Sequence, residues 1–299
     1  MTTPEIANSE TPRPWAKIVS LVALLLVAAA IGAASAMLLI APKRYLPWLR
    51  TPSDKLWASV FTADRSTYIV PADTTLLQYE IKTRRLVPLN EYVGGNFFLP
   101  TDLNHSGLAE PAQRYSSRYT AVTSVQMAEE FGRIPKVSPD RTSVRFARDM
   151  QTGDLNQSNA ILIGAAQNNP WVQLFRSQVN FHLDWVPEEN RWRILNDHPE
   201  GTEPTEWTWS NDSTRTSYSH IALVHNLSGN GSVLIIAGTN MFGSEAGSNF
   251  IFNPEKMNPL LKKALRSDGS LGNFEILLQS NVVGTGTINT RVAAARFHP

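Results

Sequence analysis

Residues 159–171, NAILIGAAQNNPW, decide the fold of this chain. Their first part, residues 159–163, is an apolar run typical of a buried strand, and it ends at Gly164. Asn169 and Pro170 are suited to the N-cap and the first position of a helix that follows. A strand, a tight loop and a helix in succession predict a parallel sheet covered by helices.

A second unit of the same form lies further along the chain. Strands are predicted at residues 220–225 (HIALVH) and 233–237 (VLIIA), followed by a glycine-bounded loop and a helix that starts near Ser244. The two units together predict a single three-layer α/β domain with a mixed, largely parallel sheet.

The same periodicities assign the remaining segments. Residues 74–118 are rich in Pro, Gly and Asn and predict a long excursion over the surface. The other predicted helices are residues 56–61, 121–131 and 258–266. The other predicted strands are residues 66–70, 143–149, 274–279 and 291–297, together with an antiparallel hairpin of residues 179–185 and 191–195.

The chain has the composition of a folded protein. Of its 299 residues, 42% are hydrophobic and 18% are charged, which disfavours disorder. The formal net charge is +1, so nucleic-acid binding is disfavoured as well. There is no cysteine, which excludes disulfides, thiolate chemistry and cysteine-bound metal. No cofactor is predicted.

An uncharged apolar segment, residues 18–41 (IVSLVALLLVAAAIGAASAMLLIA), precedes the soluble part. As a helix its 24 residues would reach about 36 Å, enough to span a bilayer core of about 30 Å with some tilt. Trp15 before the segment and Tyr45 and Trp48 after it lie where amphipathic rings prefer the headgroup level. We therefore expect Ile18 to Ala41 to contact the lipid bilayer as one transmembrane helix.

This anchor divides the chain into four predicted regions: a tail (1–17), the transmembrane helix (18–41), a juxtamembrane link (42–55) and a soluble α/β domain (56–299). The competing interpretation is a cleaved signal peptide, since Ala34, Ser35 and Ala36 have the small-residue form of a cleavage site. The apolar run continues to Ile40, which favours a retained anchor.

The flanking charges leave two orientations open. Arg13 and Lys17 precede the segment and Lys43, Arg44 and Arg50 follow it, which slightly favours a cytoplasmic domain by the positive-inside rule. A short tail with a basic residue next to the apolar run is also typical of a signal-anchor with an exported domain. We predict a single-pass cell-membrane protein with an extracytoplasmic domain.

Two glycine-bounded loops carry the candidate binding residues. Residues 238–245 (GTNMFGSE) follow a strand and open a helix as a phosphate-binding loop does, but Ser244 and Glu245 stand where a nucleotide loop needs Lys. Residues 164–169 form the matching loop, and both loops are expected at the C-terminal ends of strands, where ligands usually bind. The ligand is predicted to be a small polar or anionic molecule. The predicted ligand-binding residues are Gly164, Gln167, Asn168, Asn169, Gly238, Thr239, Asn240, Gly243, Ser244 and Glu245.

A purely structural interpretation of both loops stays open. Glycines at these positions permit tight turns and close helix packing, and Asn168 or Asn169 would then serve as a helix cap.

The sequence contains no complete catalytic set. Neither an H-E-x-x-H zinc site nor a G-x-S-x-G nucleophile elbow occurs. His220 and His225 are expected on opposite faces of one strand, so no metal site is predicted. The function hypothesis is therefore a membrane-anchored, non-enzymatic ligand-binding or sensory domain.

Two alternatives to this hypothesis remain. A hydrolase-like enzyme acting on a polar small molecule would use Glu245, Asp149 or Asp73 as its acid or base. A structural subunit of a membrane complex would use Trp207 and Trp209 against a partner protein.

Several of these segments resemble a bacterial family of membrane-anchored α/β proteins to which no reaction or ligand is assigned. The similar segments are residues 153–155 (GDL), 160–165 (AILIGA), 167–171 (QNNPW) and 235–246 (IIAGTNMFGSEA), with Phe181 and Phe250. This chain has Gly247 where the family's G-T-E-A-A pattern ends in Ala. The resemblance covers residues 56–299, and it implies an architecture while leaving the function open.

Overall fold

The computed structural model describes residues 14–40, 50–95, 97, 113–189, 191–208, 216–284 and 286–298. The chain forms two compact units, which divide between Arg50 and Thr51.

The first unit contains one long helix, α1 (Pro14–Ile40). Its stretch Leu21–Leu39 has a mean hydropathy of 2.5 over 19 residues, so α1 is long and apolar enough to cross a membrane. A signal sequence near the N-terminus can meet the same criteria of length and hydropathy. The helix begins before the predicted Ile18, and Ala41 lies outside the described residues together with Lys43, Arg44, Tyr45 and Trp48.

The second unit is built on a mixed sheet of seven strands, which confirms the α/β prediction. These strands are β1 (Thr67–Val70), β2 (Thr142–Val144), β3 (Asn159–Ile163), β7 (Thr216–His225), β8 (Ser232–Gly238), β9 (Asn273–Val283) and β10 (Gly286–His298). Their order is β10-β9-β7-β8-β3-β1-β2. The pairs β1–β2, β1–β3 and β3–β8 are parallel, whereas β7–β8, β7–β9 and β9–β10 are antiparallel. The sheet is therefore mixed as predicted, but it is not largely parallel, because half of its pairings are antiparallel.

A separate antiparallel sheet contains the predicted hairpin. Strands β4 (Phe181–Val186) and β5 (Arg191–Asn196) pair as expected, and β6 (Glu206–Thr208) adds a third strand on the other side of β5. Trp207 lies in β6, whereas Trp209 lies outside the described residues.

Helices connect and cover these strands. The α-helices of the second unit are α2 (Pro52–Val60), α3 (Thr74–Thr83), α4 (Leu89–Gly94), α5 (Gln113–Ser116), α6 (Val122–Gly132), α7 (Thr152–Gln157), α8 (Met241–Ile251) and α9 (Pro254–Leu261). Short 3₁₀ helices occur at Ala147–Asp149, Pro170–Gln178 and Lys262–Ala264.

The predicted surface excursion of residues 74–118 is wrong where the structure describes it. Helix α3 begins there, with the Asp73 side chain accepting a hydrogen bond from the Leu76 amide as its N-cap. Leu76, Tyr79 and Tyr92 of this region are buried in an apolar cluster. The helix cap at Asp73 explains the error, because an Asp two residues after a proline, here Pro71, suits a turn and an N-cap equally well.

The predicted strand at residues 143–149 is also largely wrong. Strand β2 ends at Val144, and Ala147–Asp149 form a 3₁₀ turn. After β3, the predicted helix is present as the 3₁₀ helix Pro170–Gln178, and Asn169 makes no capping hydrogen bond to it.

Apolar residues alternate between two clusters along β3. Ile161 and Ile163 pack with residues of α2, α6, α8 and α9, whereas Ala160 and Leu162 pack with residues of α3, α4 and the 3₁₀ helix Pro170–Gln178. This alternation explains the continuous apolar run, since both sides of a buried strand need apolar side chains.

Candidate functional site

The two predicted loops lie at the same edge of the sheet. Strands β3 and β8 are parallel neighbours, with Ile163 opposite Ile236, so both strands end at that edge. The Gly164 amide donates a hydrogen bond of 2.9 Å to the Ile236 carbonyl. Residues 164–169 are called loop A and residues 238–245 loop B from here on.

The Asn240 and Thr239 side chains of loop B form hydrogen bonds to neighbouring residues of the domain. The Asn240 side chain caps α8 by accepting from the Gly243 amide at 2.9 Å, and it also accepts from the Ser217 hydroxyl at 2.7 Å. The Thr239 hydroxyl accepts from the Tyr218 amide at 3.1 Å. These contacts support the structural interpretation of loop B.

The glycines of loop B are explained by close packing. A Cβ added to Gly238 would lie 2.2 Å from the Ser244 amide nitrogen, and one added to Gly243 would lie 2.1 Å from the Tyr218 carbonyl oxygen. Gly238 does not have a positive φ, so its role is close approach of the backbone rather than backbone conformation.

Glu245, the last predicted residue of loop B, faces an open cleft. This cleft of about 750 Å³ runs along α6, α8 and α9, and no loop A residue lines it. Three further glutamates line it, of which Glu129 and Glu130 pair with Arg133. Glu245 therefore lies apart from the loop A residues with which the sequence grouped it.

Loop A is fastened to the ends of strands β1 and β3. Gly164 has a positive φ of 117°, a conformation that favours glycine. The Asn169 amide group donates to the carbonyls of Val70 and Ile163, both at 3.1 Å. The Asn168 carbonyl accepts from the Asp73 amide at 2.6 Å. The loop is thereby held in one arrangement at the carboxyl end of the parallel strands.

Three consecutive side chains of loop A each contain a buried oxygen without a hydrogen-bond partner among the described residues. These atoms are Gln167 Oε1, Asn168 Oδ1 and Asn169 Oδ1. Gln167 is only 4% exposed and Asn169 is fully buried. The orientation of the Asn169 amide follows from its two donated hydrogen bonds, which leave its oxygen facing elsewhere as an acceptor. Unpaired buried acceptors are rare and call for a donor from water or a ligand.

Asp73, one of the candidate acids, is fully engaged next to loop A. Its buried carboxylate accepts from the Leu76 amide at 3.1 Å, from the Tyr92 hydroxyl at 3.1 Å and from Arg148 Nε at 2.7 Å. Burial and the adjacent Asp73 charge raise the pKa of Tyr92, which keeps that hydroxyl a neutral donor. Asp73 thus joins α3, α4 and the Ala147–Asp149 turn.

The remaining predicted residues lie elsewhere. Asp149 forms an exposed bidentate ion pair with Arg118, at 2.6 and 2.7 Å. Trp207 is half-buried and packs edge-to-face on Phe181, with ring centroids 5.9 Å apart. Neither residue lies against the Asp73 carboxylate.

A buried histidine and glutamate pair was missed by the sequence analysis. His220 on β7 and Glu275 on β9 are 4% and 2% exposed, and His220 Nε2 lies 3.1 Å from Glu275 Oε2. The amides of Asn180 and Phe181 also donate to this carboxylate, at 2.7 and 3.1 Å. Burial alone would raise the pKa of Glu275, but the His220 contact and these two amides together lower it. The available signal was an acidic residue inside the apolar run of residues 274–278 (FEILL).

A small cavity of about 50 Å³ is lined both by His220 of this pair and by residues of loop A. Its polar and charged lining residues are Gln173, Arg176, His182 and His220, and loop A contributes Ala165 and Ala166. The amides of Ala165 and Ala166 donate no hydrogen bond within the described part of the chain. Two loop A residues that line this cavity therefore have main-chain amides without a partner among the described residues.

No group of three or more His, Cys, Asp or Glu side chains in the described ranges is arranged to hold a metal ion. Comparison with known proteins finds no matching family model, no matching curated protein and no matching solved structure.

Proposed function

We propose that this protein is a membrane-anchored binding protein whose α/β domain recognises a small polar ligand at loop A. The observation that carries the proposal is the row of three partnerless amide oxygens on Gln167, Asn168 and Asn169. They lie at the carboxyl end of parallel strands, the usual place of ligand sites in α/β sheets.

The chemistry of these atoms narrows the ligand class. Amide oxygens accept hydrogen bonds and carry partial negative charge, so they favour a ligand that donates, such as an amine or a hydroxyl compound. An anion would be repelled by the same three atoms. Of the predicted polar or anionic ligands, the donor-bearing polar ligand is therefore the one proposed for this face of loop A.

In this proposal loop B has a structural role and does not contact the ligand. Its asparagine and threonine side chains are engaged within the fold, and its glycines allow α8 to pack against β7. The hydrolase-like alternative receives less support, because Asp73 and Asp149 are both held in ion pairs with arginines.

In this proposal α1 is a single-pass anchor, and the α/β domain is three-layered and lies on the extracytoplasmic side. The support for the anchor is the length and hydropathy of Leu21–Leu39. The support for the layers is the division of β3 side chains between two helix-containing clusters.

The test uses the full-length protein in lipid nanodiscs. Ethanolamine and methylammonium chloride are the donor probes, sodium acetate is the anionic control, and binding is measured by calorimetry at neutral pH. Asn168→Ala removes one acceptor, and we expect the dissociation constant of the donor probe to rise about two- to tenfold, the equivalent of one hydrogen bond of about 0.5–1.5 kcal/mol. Asn168→Asp keeps the shape and adds negative charge, so methylammonium should bind more tightly.

Asn249→Ala is the matched control, because Asn249 is an exposed asparagine on α8. It should bind both probes as the unmodified protein does. The proposal is wrong if neither donor probe binds, or if Asn168→Ala and Asn249→Ala weaken binding equally.

A further inference from the structure

A cleft of about 250 Å³ lies at the edge of the sheet opposite to loop A. Asn159 and Ser232, the first residues of β3 and β8, line this cleft, whereas loop A follows the last residue of β3. Residues of the turn between β7 and β8 and of the segment before β9 also line it. A ligand in this cleft would therefore be independent of a ligand at loop A.

Arg266 is a cation of this cleft that the fold leaves without a partner. Arg266 is half-buried, and its guanidinium makes no ion pair or hydrogen bond with another residue of the described ranges. Its main chain is fixed, because its amide donates to the Ser270 carbonyl and its carbonyl accepts from the Gly269 amide, both at 2.9 Å. A guanidinium is always charged and has several N–H donors, so one without a partner in a cleft favours an anionic ligand.

Two further residues of the cleft have a donor to spare. Ser232 pairs with His225 across β8 and β7, and directly paired residues point to the same face of a sheet. The Ser232 side chain is therefore on the face of Leu223 and His225, which also line the cleft, and its hydroxyl has no partner in the described part of the chain. Asn230 Oδ1 accepts from Arg65 at 2.6 Å, which leaves the Asn230 amide nitrogen as a donor.

Asp64 is an acidic residue that lines the cleft, and a neighbouring cation already balances its charge. Hydrogen bonds from Thr62 and Arg65 lower the pKa of Asp64, so its carboxyl group is ionised. The Arg65 guanidinium lies 3.2 Å from this carboxylate. The Asp64 side chain is 67% exposed, so water screens what remains of its repulsion of an anion.

Asp268 adds a second negative charge in the same turn as Arg266. Hydrogen bonds from Ser270 and the charge of Arg266 lower the pKa of Asp268, but no ion pair joins Asp268 to Arg266. Asp268 does not line the cleft. The Lys55 ammonium compensates at this turn, where it donates to the Gly269 carbonyl at 2.6 Å. The cleft and this turn therefore hold more cationic than carboxylate charge.

The placement of the donors selects the chemical class of the anion. Ser232 begins β8 and Arg266 precedes β9, and β7 lies between these two strands, so the donors approach from different sides. A phosphate group has acceptor oxygens on all sides, whereas a carboxylate has both of its oxygens at one end. At about 30 Å³ per water molecule the cleft has the volume of about eight waters, which leaves room for a phosphate group with a small organic part.

We propose that this cleft binds the phosphate group of a small phosphate ester or of a phospholipid headgroup. Arg266 supplies the charge that attracts the phosphate, and Ser232 and Asn230 supply further hydrogen bonds. Both sources present the same group to the cleft, and the choice of surroundings in the experiment distinguishes them.

The experiment titrates the full-length protein in dodecyl maltoside micelles, which contain no phosphate. Sodium phosphate and glycerol 3-phosphate are the probes, and binding is measured by calorimetry at pH 7.5. We expect both probes to bind. The same titration in phosphatidylcholine nanodiscs assigns the source: headgroups that occupy the cleft would weaken glycerol 3-phosphate binding by about tenfold or more, whereas equal binding in both surroundings indicates a soluble ester.

A set of arginine variants assigns binding to the cleft. Arg266→Met should raise the dissociation constant of sodium phosphate about five- to thirtyfold, because an open cleft screens part of a charge-assisted hydrogen bond. Arg266→Lys keeps the charge without the planar fork and should lose less. Arg141→Met is the matched control, since Arg141 is an exposed arginine before β2 that does not line the cleft. It should bind both probes as the unmodified protein does.

If Arg266→Met fails to fold, Ser232→Asp provides the second test. It places a carboxylate on the face of the cleft and should abolish the binding of both probes by repulsion. Ser143→Asp adds the same charge to an exposed serine on β2, outside the cleft, and should leave binding unchanged.

Three results would overturn the inference: no binding of either probe in micelles, equal affinities of Arg266→Met and Arg141→Met, or unchanged binding by Ser232→Asp. Because the cleft and loop A lie at opposite edges of the sheet, none of these variants should alter methylammonium binding at the amide oxygens. The two proposals therefore fail separately.

Discussion

Replacing Glu80 by Gln should make the protein more stable above neutral pH. Glu80 lies on α3 and is 1% exposed. Its Oε1 accepts from the Val87 amide at 2.8 Å, whereas Oε2 has no partner among the described residues. Burial raises the pKa of Glu80 to about 8, although the Val87 amide and the charge of Arg85 both lower it. The folded protein therefore holds this proton up to about pH 8.

The direction of the pH effect follows from comparing the protonation of Glu80 in the folded and the unfolded protein. In the unfolded chain Glu80 loses its proton near its ordinary pKa of 4.5, so between pH 4.5 and 8 the folded state binds the proton more strongly. The stabilisation is fully present below pH 4.5 and is lost as the pH rises to about 8. At about 1.36 kcal/mol per pH unit, the free energy of unfolding falls by at most about 5 kcal/mol between pH 4.5 and 8. Because local opening to water lowers the cost of the buried charge, we expect a change of about 2–5 kcal/mol.

Glu80→Gln keeps the acceptor for the Val87 amide and removes the titration. We expect equal free energies of unfolding for the variant and the unmodified protein near pH 4.5, and a variant more stable by about 2–5 kcal/mol at pH 8. The assay is urea unfolding of the full-length protein in micelles, followed by tryptophan fluorescence at five pH values. Glu188→Gln, an exposed carboxyl in the turn after β4, is the control and should change little. Parallel pH profiles of the unmodified protein and Glu80→Gln would refute the reasoning.

Three further predictions concern packing, charge and the anchor. Gly243→Ala should cost about 1–3 kcal/mol in urea unfolding because its Cβ meets the Tyr218 carbonyl, whereas Gly153→Ala, which has open space, should not destabilise. Arg148→Met should cost about 3–5 kcal/mol by leaving the buried Asp73 carboxylate without its cation, and adding Asp73→Asn should restore part of the loss in the same assay. Leu25→Arg should reduce retention in carbonate-washed membranes, since a cation at the helix centre costs about 2.5–3.5 kcal/mol; unchanged retention would contradict a spanning α1.

The strands were predictable where burial alone determined the pattern. Residues 159–163 form β3 over the predicted range, and 233–237 fall within β8, because strands covered on both sides need continuous apolar runs. The mixed character of the sheet followed from the two repeated units. Its three antiparallel pairings were not predicted. Two of them, β7–β8 and β9–β10, join strands that follow each other in the chain, and only β7–β9 joins segments distant in sequence.

The wrong predictions for α3 and for residues 143–149 have a common cause, which is dependence on contacts between distant residues. Helix α3 was predicted as surface loop because it was grouped with residues 84–118, which are rich in Pro, Gly and Asn. Its start depends on one carboxylate that also binds Arg148 and Tyr92. Residues 143–149 look like a strand until the chain turns at Ala147, whose carbonyl then accepts from the Trp171 indole at 2.8 Å. Such side-chain contacts between distant residues have no local signature in one sequence.

Asn169 and Asn240 in the candidate site also show that contacts between distant residues cannot be predicted from local sequence. Asn169 and Asn240 both follow an apolar strand and a glycine-containing loop, and both precede a helix, so the sequence gives them the same expected role. Asn240 caps its helix. Asn169 instead donates its amide group to the ends of β1 and β3, so it cannot cap the helix that follows. Its own oxygen is consequently left unpaired at the strand ends. A ligand gains most where the fold has left polar groups unsatisfied, because those groups have no competing partner to displace. The more recognisable loop B has satisfied its own groups, and the search for a ligand should therefore begin at loop A.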